Sequence, residues 1–153
     1  MALRRIMLYD KDDILRMKSK AVEKIDEEIR ILLDDMADTM YSANASGLSA
    51  VQVGVLKRVV VLKDGSGVIN LINPVIIQMF GEQQVTEGCL SIPGVYGKVK
   101  RPETVLVRAL NDRGEMFIME GKGLLARAAC HEVDHLDGIL FIDKAIQSTL
   151  VNY

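Results

Sequence analysis

Apolar positions recur most regularly between Ile25 and Met40. Ile25, Ile29, Leu32, Leu33, Met36 and Met40 fall three or four residues apart, which is one buried stripe of a helix. Asp26, Glu27 and Glu28 stand at its start, where the positive end of the helix dipole favours acids. The pattern predicts a helix from near Asp26 to around Ser42–Asn44, with its Met residues as adaptable core filler. A second helical stretch runs from Leu124 to Leu136, with Leu124, Leu125, Ala128, Val133 and Leu136 on its apolar side and Gly138 as the stop. Between the two, short β-branched runs separated by turn residues predict strands. These are Arg58–Lys63, Val68–Asn73, Val75–Phe80 (with Pro74 as an interruption), Gln83–Thr86, Val99–Arg101, Thr104–Leu110 and Met116–Glu120. Asp64–Gly67, Gly81–Glu82 and Asp112–Gly114 read as turns, and Ile92-Pro93-Gly94 as a break in the sheet. Residues 6–24 are irregular, with a helical turn near Asp13–Met17. Ile139–Ile142 reads as a last short strand, and Lys144–Tyr153 as one ragged helix. The expected architecture is α+β, antiparallel strands wrapped around a central helix.

Composition narrows the class. A length of 153 residues suits a single domain with one core, expected to span residues 1–153. Apolar residues at 49% and charged residues at 26% are those of a globular chain. A net charge of -2 gives no electrostatic case for nucleic acid or an anionic membrane as partner. No apolar run approaches the ~20 residues of a membrane span. Basic Arg4 and Arg5 follow Met1 without an apolar core behind them, and Asp10, Asp12 and Asp13 come next, which argues against a signal or transit peptide. The two cysteines, Cys89 and Cys130, form no disulfide framework, and a reducing cytoplasm is expected.

The candidate chemistry lies in the second helix, at His131-Glu132-Val133-Asp134-His135. At ~100° per residue, positions i and i+4 differ by only ~40° around a helix, so both imidazoles leave one face. Two neutral imidazoles so placed can hold a divalent metal, with Glu132 as general base towards a water. These are the only two histidines in the chain. A catalytic site usually has a third protein ligand and one open position. Downstream, Asp137 and Asp143 are available; upstream, Cys89 sits between Gly88 and Pro93, and a thiolate is a strong ligand for a borderline metal. The small-residue stretch Ala45–Gly54 reads either as a tight connection or as a backbone edge a substrate can approach, with Gln52 as an amide donor.

Three blocks in order resemble the peptide deformylase family: Gly47-Leu48-Ser49-Ala50-Val51-Gln52, Glu87-Gly88-Cys89-Leu90-Ser91, and His131-Glu132-Val133-Asp134-His135-Leu136-Asp137-Gly138. The resemblance covers essentially the whole chain. It departs from the family at Ala45, where a Gly is usual, at Ser49, where an Ala is usual, and at Cys130, where a Gln is usual. What it implies is hydrolysis of the N-formyl group of formyl-methionyl nascent peptides, with release of formate, in the bacterial cytoplasm. It implies Cys89, His131 and His135 as ligands of one divalent ion. That ion would be Fe(II) physiologically, with Zn(II), Ni(II) or Co(II) able to substitute. It implies Glu132 as proton carrier and Gln52 with the Leu90 backbone N–H as oxyanion donors. Ser46, Gly47 and Gly88 would hold the peptide backbone, and Val85, Leu124 and Ala128 would line the methionine pocket. Arg127 falls where the family often has an apolar residue, and would turn to solvent or line the pocket rim with its stem. Glu87 is either a brace paired with Arg101 or a plain surface carboxylate. The resemblance also raises the ribosome near its exit tunnel as a partner, although the tail after Ile142 is shorter than the long C-terminal helix of some family members. Two rivals share part of this pattern. A small zinc peptidase needs only the His-Glu-x-x-His stretch and a different third ligand. A non-catalytic binding module would keep the metal as a staple with four protein ligands.

Overall fold

The computed structural model describes residues 2–152; Met1 and Tyr153, the last residue of the expected tail helix, lie outside the described residues. The first helix, α1, spans Glu27–Ser42. The Asp26 carboxylate caps it by accepting from the Ile29 N–H at 3.1 Å. Its predicted stripe is buried, from Ile29 through Met40. That stripe packs on β1 (Gly47–Ser49) and β2 (Val59–Asp64), sharing one apolar cluster with Leu48, Val59 and Val61. Each fully buried aliphatic side chain of this kind contributes roughly 1.5–3 kcal/mol.

The chain continues through β3 (Gly67–Phe80), β4 (Gln83–Cys89), β5 (Ile92–Arg101), β6 (Thr104–Leu110), β7 (Met116–Lys122), α2 (Leu124–Leu136), α3 (Phe141–Lys144) and β8 (Val151–Asn152). Strands β1-β2-β3-β6-β7 form a five-stranded sheet and β4-β5-β8 a three-stranded one, with every pairing antiparallel. The α2 helix packs between them. Ala126, Ala129, Cys130 and Leu136 meet Val60, Leu62, Leu71, Val105 and Val107 of the larger sheet. The small alanines let the helix lie close to the strands. Leu15, Val51, Ile92, Val99, Leu140 and Phe141 close the core on the side of the smaller sheet. The α+β architecture around a central helix is therefore as expected.

Four local expectations are corrected. Pro74 does not interrupt a strand; β3 runs through it. The register against β6 shifts between Ile72 and Val75, and Asn73 takes a positive φ of 53°. The proline falls in that bulge, where its missing N–H removes no ladder bond. Asn73 is held there by its side chain, which accepts from the Val22 N–H at 2.8 Å and donates to the Val22 carbonyl at 2.9 Å. Ile92-Pro93-Gly94 likewise begins β5 instead of breaking the sheet, with Ile92 paired to Cys89. Ile139–Ile142 is not a strand. Leu140 enters α3, and the Asp143 carboxylate accepts from the Leu140 N–H at 2.9 Å. The tail is not one helix: Gln147–Thr149 make a 3-10 turn, and Val151 and Asn152 pair with Tyr96 and Val95 of β5. No helix among the described residues is long and apolar enough to cross a membrane.

Candidate metal centre and substrate cleft

The α2 helix carries His131 and His135 one turn apart on one side, and β4 ends at Cys89 opposite them. Ligand atoms of Cys89, His131 and His135 all lie within 4.8 Å of one another. Cys89 Sγ is 3.3 Å from His135 Nε2. The two imidazole centroids are 5.0 Å apart. Asp137 and Asp143, the other candidates for third ligand, are engaged elsewhere, with Arg58 at 2.8 Å and with Arg16.

Buried charge holds this corner rigid. His131 Nδ1 lies 3.0 Å from Glu87 Oε1, which leaves its Nε2 for the centre. Arg101 donates to both Glu87 oxygens, at 2.9 and 3.0 Å, and to Asp134 Oδ2 at 2.8 Å. Glu87 is therefore the brace and not a surface carboxylate: it is 8% exposed and Arg101 3%. Asp134 also meets Lys144 at 3.0 Å. Burial alone would push the Glu87 carboxyl up, but the hydrogen bonds from His131 and Arg101 outweigh it and bring its pKa down to about 2. Burial disfavours a charged His131, yet its hydrogen bonds to Cys89 and Glu87 hold its pKa well above the ordinary value. His135 is driven well below that value, first by burial and then by the charge of His131. The two imidazoles are thus pushed in opposite directions, and a metal ion takes both in their neutral form.

The donor set fits a divalent transition metal: one sulfur and two imidazole nitrogens already converge, and one imidazole is oriented by a carboxylate. Glu132 stands beside it, 5% exposed, with burial raising its pKa to about 7. Its Oε1 is buried without a hydrogen-bond partner among the described residues, a place for a water. Gly47 of β1 is what makes room for this carboxylate. A Cβ there would lie 2.8 Å from Leu62 Cδ2 and 3.0 Å from Glu132 Cγ. Gly88 has the same reason, since a Cβ would lie 2.7 Å from the Tyr96 ring.

A cleft of about 560 Å³ opens onto the centre. One wall is the end of α1 with the β1 edge, from Ala43 to Gly47; the other is Thr86–Leu90 and Ile92–Tyr96. Its floor carries Gln52, His131 and Glu132, and α2 adds Leu124, Arg127 and Ala128. Every predicted site residue but two lines it. His135 is fully buried behind Cys89, as a ligand can be. Val85 is the other; its neighbour Thr86 lines the cleft. Alternation along β4 puts Val85 on the face of the buried Glu87, and Thr86 with Gly88 on the opposite face. Arg127 lines the cleft, with its Nε buried and unpartnered among the described residues. β1 is an edge strand. The Ser46 carbonyl accepts from Lys63 N–H of β2 at 3.1 Å, so by alternation the Gly47 N–H and C=O face the cleft. Sequence reasoning missed Thr86, Tyr96, and the partners of Gln52, namely Ser49 and Ser91. Only the Ser49 departure carried a signal, and Tyr96 had none because it arrives from another strand.

A histidine pair with a sulfur donor, a buried carboxylate beside it and an open cleft define a metal-dependent hydrolase. The family model described as polypeptide deformylase matches residues 3–150. The peptide deformylase of Acetivibrio thermocellus is 62% identical over 143 residues, covering 94% of this chain and 84% of its own. The crystal structure of peptide deformylase from Thermotoga maritima superposes with a TM-score of 0.90 at 36% identity, covering 95% of this chain and 99% of that one. That from Legionella pneumophila gives 0.89 at 44% identity, covering 94% and 86%. The chain belongs to the polypeptide deformylase family, metal-dependent enzymes that remove the N-formyl group from newly made polypeptides.

Proposed function

We propose that this chain releases formate from formyl-methionyl peptides with Cys89, His131 and His135 as metal ligands and Glu132 as proton carrier. The observation that carries the reading is the convergence of the three ligand atoms within 4.8 Å, beside a buried carboxylate and at the foot of an open cleft. When bound, the ion supplies Lewis-acid polarisation of the formyl carbonyl and lowers the pKa of a water. Glu132 takes a proton from the attacking water at its carboxylate and delivers one to the leaving amine nitrogen. Gln52 Nε2 and the Leu90 N–H donate to the formyl oxygen as it gains negative charge. Removal of one such donor typically costs a factor of ~10²–10³ in turnover. The peptide runs along the free edge of β1 as an added strand, held by backbone groups of Ser46 and Gly47 on one side and of Gly88 on the other. Leu124 and Ala128 offer apolar surface to the methionine side chain.

One thiolate and two imidazoles suit Fe(II), Co(II), Ni(II) and Zn(II). We assign Fe(II) as the physiological ion, on the family resemblance. The chain acts as one catalytic domain, because α2 packs against strands of both sheets. Its substrates are nascent chains in the cytoplasm of a bacterium, near the ribosomal exit tunnel. Residues 145–152 form a turn and a strand.

The test is release of formate from formyl-Met-Ala-Ser by anaerobic, metal-loaded protein, run beside cleavage of unformylated peptides. Formate release without internal cleavage is expected. Internal cleavage would favour the peptidase reading, and neither activity would favour a structural metal.

A further inference from the structure

Gln52 is a useful oxyanion donor only if its amide faces the right way. The amide oxygen and nitrogen are nearly isosteric, so a half-turn of the group costs little in shape. It would, however, place Oε1 towards Cys89 and the developing oxyanion, where two negative ends repel. The sense of the amide is fixed by its neighbours. The Ser49 N–H lies 3.0 Å from one amide atom, and because a backbone N–H can only donate, that atom is Oε1. The Ser49 hydroxyl donates to the same oxygen at 3.0 Å. Nε2 then points the other way, donating to Ser91 Oγ at 3.2 Å with Cys89 Sγ at 3.6 Å. Ser49 and Ser91 are fully buried and Gln52 is 1% exposed, so water cannot take over these bonds. An alanine at position 49 would leave only the backbone donor.

We propose that Ser49 is a positioning residue for the reaction, whose hydroxyl locks the Gln52 amide with its N–H turned to the substrate oxygen. The proposal rests on Gln52 being an oxyanion donor. The Ser49 hydroxyl is also close enough to Glu132 to influence its carboxylate, and its one proton can serve only one acceptor at a time, so the experiment must separate the two routes. It uses full-length, metal-loaded Ser49→Ala, Gln52→Leu and the double variant, assayed for formate release under argon. The side-chain amide signals of Gln52 are followed by ¹⁵N–¹H NMR in the zinc form. Loss of one of two donors to the amide should lower kcat about five- to tenfold with KM within twofold. In the Gln52→Leu background Ser49→Ala should add nothing, and in the single variant the Gln52 amide signals should shift or broaden. If Gln52→Leu leaves kcat unchanged, the donor reading fails and this inference falls with it. If Gln52→Leu lowers kcat but Ser49→Ala does not, this inference alone fails. A Ser49→Ala effect that persists without Gln52, or unchanged amide signals, would show that Ser49 acts through Glu132 or through the fold.

Discussion

At the metal corner Glu87, Arg101 and His131 are little exposed and tied to one another by charge-assisted bonds. Across the cleft the β1 edge is built of Ala45, Ser46 and Gly47, small side chains with backbone groups left for a guest. The first region pays a desolvation cost for rigidity, since a buried pair broken on one side typically costs ~3–5 kcal/mol. The second gains reach by removing side chains, as Gly47 does beneath Glu132. Substitutions should therefore be severe at the corner and mild at the edge.

The largest expected effect is at the corner and concerns its chemistry. Anaerobic Fe(II) protein should be the most active form. In air it should lose its activity while Cys89 gains oxygen mass, because a thiolate beside a ferrous ion can be oxidised to the sulfenic and sulfinic states. The Ni(II) form should keep most of its activity in air, and the Zn(II) form should be stable but slow. Mass spectrometry of the Cys89 peptide, with formate release in parallel, checks this. A zinc form as fast as iron, with Cys89 unmodified as iron activity decays, would contradict it.

Next is the brace. Arg101→Met leaves Glu87 and Asp134 without their main cation and should cost about 3–5 kcal/mol. For a chain of this size that is a fall in melting temperature of roughly 6–20 °C. The pH dependence should change with it. Glu87 has a folded pKa of about 2, below its ordinary 4.5, so its contribution is fully present above pH 4.5 and is lost as pH falls towards 2. Without Arg101 the folded pKa rises, so the contribution should be smaller and its loss complete at a higher pH. Thermal midpoints of metal-free protein between pH 3 and 7 would show it; parallel curves for the two proteins would mean that the brace is not what stabilises the corner.

The smallest effect belongs to the edge. Ala45 is half-buried against the α1 cluster and has no positive φ, so its backbone does not require glycine. Ala45→Gly should change kcat/KM by no more than about threefold. A larger change would mean that the edge is as tightly specified as the corner.

The corner was legible because the histidine pair follows from helical spacing and the family resemblance implied Cys89 as the third ligand. Only the Glu87–Arg101–Asp134 closure needed the fold, since β5 brings Arg101 across from β4. The cleft was less legible for the opposite reason. Tyr96 reaches it from β5 and Thr86 from β4, and neither follows from a local run. Three of the four misread elements share one cause, long-range pairing that overrides a local signal. Pro74 is absorbed by a bulge pinned to Val22, Pro93 sits at the start of a strand, and the tail is drawn out of helix by the edge of β5. The short apolar run Ile139–Ile142 carries no period long enough to tell a strand from a helix.

The account turns on Glu132 moving protons without holding the ion. Metal content and formate release measured on the same anaerobic preparation of Glu132→Ala test it most directly. The account predicts one ion per chain, as in the unsubstituted protein, with turnover reduced by at least ~10². Substantial turnover in the metal-replete variant, or loss of the ion with the carboxylate, would contradict it.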